Sequence, residues 1–139
     1  MATWDVTAFG NDFALDWAQD VLESKDLFFI EDTLNNVLSK ESAHYLEAPF
    51  AAEGLAAIEV LARLHGKRDE EDDELDDIDT WVDEVGKKFK RRPDLIDKSL
   101  RAIDHILSER SELRELWQES EEYDNWRAAV GNLRARIAA

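Results

Sequence analysis

The sequence predicts an all-α protein, built as a single compact helical bundle of about six to seven short helices. Three observations carry this expectation. Apolar residues recur at helical spacing in nearly every segment, and no segment alternates as a half-buried strand would. Pro49, Gly66 and Pro93 stand at segment ends, where such residues start and stop helices. A chain of 139 residues that is 44% apolar can enclose one core.

The first helix is expected over about Asp12 to Glu23. Ala14, Trp17, Ala18 and Val21 form its core stripe, with Phe13 and Leu22 beside them, while Asp12, Asp16, Gln19 and Glu23 line the other face. Its entry reads as a turn and a cap. Gly10 is free to take positive φ, Asn11 is a preferred N-cap, and Asp12 sits at the positive end of the helix dipole. The second helix covers about Asp26 to Leu38, with Leu27, Ile30, Leu34, Val37 and Leu38 inward. The third spans about Pro49 to Leu64 and is apolar nearly all round, which assigns it to the middle of the bundle. Its alanines let neighbours approach closely, and Gly66 closes it.

An acidic linker follows at about 67–77 and is expected to be mobile. Nine of the eleven residues from Asp69 to Asp79 are acidic, and such a block must stay wet. The fourth helix is expected over about Ile78 to Phe89, with Trp81, Val82 and Val85 on its stripe and Lys87 to Arg92 near its end. The fifth starts at Pro93 and carries Leu95, Ile96, Leu100, Ile103, Ile106 and Leu107, with an Asp97–Arg101 pair one turn apart. A short sixth helix, Glu112 to Glu119, begins on Ser111. The last runs from about Glu121 to Ile137, capped by Ser120, with Tyr123, Trp126, Val130, Leu133 and Ile137 on one seam.

Charge narrows the partners. The net charge is −16 and is unevenly spread. Residues 1–66 hold 12 acids and 3 bases, residues 67–85 hold 11 acids and 2 bases, and residues 86–139 hold 10 acids and 12 bases. Such a field repels nucleic acid and anionic membranes and steers cationic proteins. No stretch approaches the ~20 apolar residues of a membrane span. The absence of cysteine excludes disulfides and thiolate metal sites and suits a cytoplasmic protein.

The chemical motifs are thin. Asp12, Asp16 and Asp20 share a helix face, but an oxygen-ligated cation needs more ligands than they supply. The acidic run lacks the glycine and the spaced ligands of a calcium loop. Glu41-x-x-His44 has the spacing of half a di-metal site whose second half is missing. No catalytic grouping, cofactor or metal is therefore expected. Glu59 stands out because it sits within the most apolar helix, where a carboxylate needs a partner. Arg63, one turn on, is the expected one.

The same residues carry a family likeness. "TWDVTAFGNDFALDW" resembles the opening of the DUF4259 family of bacterial proteins, with Trp4, Phe9, Asn11, Asp12, Ala14, Asp16 and Trp17 matching. "AAIEVLARLHG" is similar to the family's alanine-rich helix and places Glu59 there. "SELRELWQES" and "WRAAVGNLRARI" resemble its C-terminal segments and place Trp117, Trp126 and Arg127. The opening Ala2-Thr3-Trp4-Asp5 departs from the family's Gly-Ala-Trp-Gly, and the acidic linker is unusually dense. The resemblance implies a helical fold and marks Asn11, Asp12, Asp16, Glu59, Trp126 and Arg127 as candidate binding residues. It implies no activity.

Three functions fit. The favoured one is a small acidic cytoplasmic binding module that masks a basic protein partner in the manner of an immunity-type inhibitor. A second is a small hydrolase-like or metal-binding protein using Asn11, Asp12 and Asp16 with Glu59. A third is a structural, self-associating housekeeping protein.

Overall fold

The computed structural model describes residues 5–39, 45–68, 76–88 and 90–139. They form seven helices: α1 (Asp12–Glu23), α2 (Phe28–Leu38), α3 (Ala48–Leu64), α4 (Asp76–Gly86), α5 (Pro93–Ile106), α6 (Glu112–Gln118) and α7 (Tyr123–Ala138). Among the described residues there is no strand beyond one isolated bridge between Leu46 and Ser111. Trp4, the Glu41/His44 pair, Asp69 to Glu74 and Phe89 lie outside the described residues.

The bundle is built around α3, which packs against each of the other six helices. Its sequence makes that possible. Ala51, Ala52, Ala56, Ala57 and Ala62 are fully buried, and so are Ile58, Val60 and Leu61. Small side chains let neighbouring backbones come close, and Gly54 takes this furthest. A methyl group there would stand 2.7 Å from Val37 Cγ2 of α2. At the far end α3 closes in a Schellman motif. Gly66 adopts φ 73°, its N–H donates to Arg63 O, and the Lys67 N–H donates to Ala62 O. At the near end the cap comes from elsewhere in the chain, as the Ala48 N–H donates to Glu112 Oε1 of α6 at 2.7 Å.

The expected stripes are the buried ones on α1 and α7. Ala14, Trp17, Ala18 and Val21 face inward, as do Trp126, Val130, Leu133 and Ile137. The four described tryptophans, Trp17, Trp81, Trp117 and Trp126, are all buried. Trp17 stacks on Phe29 at 5.4 Å, and its indole N–H donates to Thr33 Oγ1 at 2.8 Å. A large ring thereby keeps a partner for its one polar atom. The Asp97–Arg101 pair forms at 3.7 Å.

Several boundaries differ from expectation, each for a local reason. Asp26 lies before α2, because its carboxylate accepts the Phe28 N–H from outside the helix. Leu27 and Leu38 are half-buried rather than core. α4 begins at Asp76, so Asp76 and Asp77 are helical and do not belong to the linker. Three acids in the first turn complement the helix dipole there. Lys87 and Lys88 fall just past its end. Ser120 does not cap α7. It closes the turn after α6, donating to Trp117 O and accepting the Glu122 N–H.

Two glycines make a paired prediction. Alanine in place of a helical glycine gains about 1 kcal/mol of helix propensity, whereas overpacking a core costs about 1–3 kcal/mol. Gly54→Ala meets the stiff, β-branched Val37, so crowding wins and the variant loses about 1 kcal/mol. Gly131→Ala on α7 meets nothing within 4 Å, and gains ~0.5–1 kcal/mol. Urea denaturation of the two variants checks both signs.

Candidate functional site

Glu59 anchors the most connected polar cluster among the described residues. Its side chain is 6% exposed, and it faces two guanidinium groups. Arg63, one turn on along α3, donates from Nε to Oε2 at 3.2 Å. Arg136 reaches in from α7 and grips the carboxylate with both terminal nitrogens, Nη2 to Oε1 at 2.8 Å and Nη1 to Oε2 at 3.0 Å. This two-point geometry is the strong form of an arginine–carboxylate pair. The chain of contacts continues outward. Arg63 Nη1 donates to Asp79 Oδ1 of α4 at 2.8 Å, and Arg68 lies 3.4 Å from the other oxygen of Asp79. Arg136 also donates to Asn132 Oδ1 and to Lys67 O. α3, α4, α7 and the turn after α3 are thus joined through one buried carboxylate.

The expected Glu59–Arg63 pair is present, and Arg136 and Asp79 are what the sequence did not reveal. No local pattern marks Arg136, because its partner is 77 residues away. This arrangement holds a carboxylate between cations.

The start of α1 is a cap. Asn11 has extended backbone, and its Oδ1 accepts the Ala14 N–H at 2.9 Å. Asp12 and Asp16 are exposed on the outer face. Among the described residues neither is bonded to Glu59 or to a histidine, and no group of three acids or histidines could hold a metal ion. Gly10 is needed for a reason other than the expected one. Its φ is not positive; instead, a side chain there would collide with Asp5. Asp5 folds over the turn, accepting the Thr7 N–H at 2.8 Å while its own N–H donates to Gly10 O at 3.0 Å.

Trp126 and Arg127 separate by depth. Trp126 is buried between Trp117 and Tyr123, with ring centres 6.3 Å and 6.2 Å away. Arg127 is exposed and lies over the Tyr123 ring at 5.6 Å. Arg114 holds the hydroxyl of that same ring at 3.1 Å. The six candidate residues therefore occupy three places: the α1 cap, the buried cluster and the α6–α7 aromatic stack.

Where α1 meets α3, burial pushes the Glu53 carboxyl above its ordinary range, and the nearby Asp20 pushes it the same way. The folded state thus holds the Glu53 proton more tightly than the unfolded chain does. The stability lost to this charge is absent below the ordinary value of 4.5 and fully present above the raised one. Glu53→Gln should therefore raise the melting temperature at pH 7. The gain should shrink on acidification and disappear below pH 4.5, which melts across that range would check.

The cluster predicts a second outcome. Removing one partner of a buried ion pair costs about 3–5 kcal/mol, because the other charge is stranded. Arg63 stays beside Glu59, so Arg136→Met should cost about 3 kcal/mol, the lower end. Glu59→Met combined with Arg136→Met should recover part of that loss. Urea denaturation of the single and double variants measures the coupling.

The family model of a domain of unknown function, DUF4259, matches residues 2–129. Neither the curated proteins nor the solved structures give a match. With the sequence matched over nearly its full length, the chain belongs to the DUF4259 family.

Proposed function

We propose that the protein is a small acidic binding module that covers a basic protein partner, as an immunity-type inhibitor does. The observation that carries the reading is the adjacency of α1 and α4. The two acid-rich stretches are far apart in sequence, yet these helices pack together, and the Trp81 indole N–H of α4 donates to Ser24 O at the end of α1 at 2.8 Å. Asp12, Asp16, Asp20 and Glu23 are exposed on α1, and Asp76, Asp77, Asp83 and Glu84 on α4. Leu15 stands among the acids of α1, 49% exposed. An acidic face with an apolar residue within it suits a cationic surface that offers an apolar contact.

A catalytic reading has less support. Both Glu59 oxygens are engaged by arginines, and Asp12 and Asp16 stand in solvent. Among the described residues no helix is long and apolar enough to cross a membrane. The reading takes the protein to be cytoplasmic, with which its cysteine-free sequence is compatible.

The test is capture from native lysate at low and at high salt, followed by binding measurements with the purified partner. A basic protein, held at low salt and released at high salt, is expected. Asp16→Lys with Asp20→Lys should weaken binding by about tenfold or more, and Glu121→Lys, in the turn before α7, should not. Recovery of nucleic acid, or of a partner held equally at both salts, would defeat the proposal.

A further inference from the structure

A half-open cleft of about 450 Å³ lies where the end of α3, the segment leading into α5, and the end of α7 meet. That volume falls within the roughly 300–1,000 Å³ of small-molecule sites. Leu64, Ile96 and Ile137 supply apolar lining from three helices, and Ala139 lies at one side. The charged side chains on its wall are Lys67 and Arg91, and His65 adds a polar edge, its Nδ1 2.9 Å from Leu61 O.

The arginines nearest to these two are engaged elsewhere. Arg63, Arg68 and Arg136 are all committed to Glu59 or Asp79. Arg92, next to Arg91, pairs with Asp94 at 2.8 Å and lies 3.5 Å from Glu31. Lys67 and Arg91 form no ion pair with any described acid. They are two of several bases without an ion pair, Lys90 among them, and they are the two that line the cleft.

We propose that this cleft binds a small amphiphilic carboxylate, its apolar tail on Leu64, Ile96 and Ile137 and its carboxylate at Lys67 and Arg91. Burial of the tail supplies the non-directional part of the affinity, and the two cations orient the head.

The experiment titrates octanoate into isotopically labelled full-length protein and follows the backbone amides by NMR. It needs no protein partner, so its result is separate from the test of the binding module. Saturable shifts confined to the segments around Leu64 to Lys67, Arg91 to Ile96 and Ile137 to Ala139 are expected. Octanol, with the same tail and no charge, and acetate, with the charge and no tail, should each bind at least about tenfold more weakly. Lys67→Gln with Arg91→Gln, both at exposed positions, should fold normally by circular dichroism and reduce octanoate affinity to that of octanol. Equal affinity for octanoate and octanol would reduce the cleft to an apolar hollow and overturn the proposal. So would shifts centred elsewhere, or octanoate binding unchanged in the glutamine variant.

Discussion

The structure depends on one carboxylate placed where the packing offers it no water. α3 must be apolar and small to serve as the surface against which six other helices pack. Glu59 lies in that helix, and its desolvation has to be offset by ions arriving from inside the bundle. Arg63 comes from the same helix and is available in any helical conformation of the segment. Arg136 is available only when the end of α7 lies against α3. Its further bond to Lys67 O ties α7 to the turn after α3, and Arg63 with Arg68 holds Asp79 at the start of α4. Apolar contact is non-directional and would tolerate many placements of these helices. Charged hydrogen bonds are directional, so they tolerate few.

The same economy of partners shapes the surface. Some of the basic residues of the C-terminal part are used in pairing. Arg92 and Lys98 lie against Glu31, Arg134 against Asp104, and Arg136 against Glu59. Asp79 of α4 is held by Arg63 and Arg68, but the exposed acids of α1 and α4 form no ion pair with a described base. Asp12, Asp16, Asp20 and Glu23 on α1 and Asp76, Asp77, Asp83 and Glu84 on α4 stay exposed. The Lys67 and Arg91 cleft is their counterpart in miniature, a place where cations are left over. Both features follow from which helices adjoin, and both bear on what the protein can hold.

The helix ends show where a sequence can be read. Asn11 and Ser111 cap α1 and α6, because a cap satisfies an N–H two or three residues away and needs nothing distant. Gly66 ends α3 for the same reason. Reading failed where the decisive contact came from afar or where two local signals competed. Ser120 looks like the cap of α7, yet it completes the turn that ends α6. Gly10 suggests a positive φ, yet its smallness is needed because Asp5 folds over it. Among the candidate site residues, Glu59 was legible as a buried acid with Arg63 as its partner. Arg127 was marked by its family segment, but the residue of that segment that reaches Glu59 is Arg136.

By itself the sequence determined the helical class, the inward stripes, the central place of α3 and the need of Glu59 for a cation. These are consequences of periodicity, side-chain volume and the cost of burying charge, all of which act within a turn or two of helix. Tertiary structure alone decided that Arg136 and Asp79 complete the ion cluster, that α1 and α4 lie side by side, and that Lys67 and Arg91 share a cleft. The physical reason is common to all three. Each joins residues 16 or more positions apart, as Arg63–Asp79 and Glu59–Arg136 do. Their meeting is set by how whole helices pack on α3, and that arrangement is stored in no local stretch of the chain.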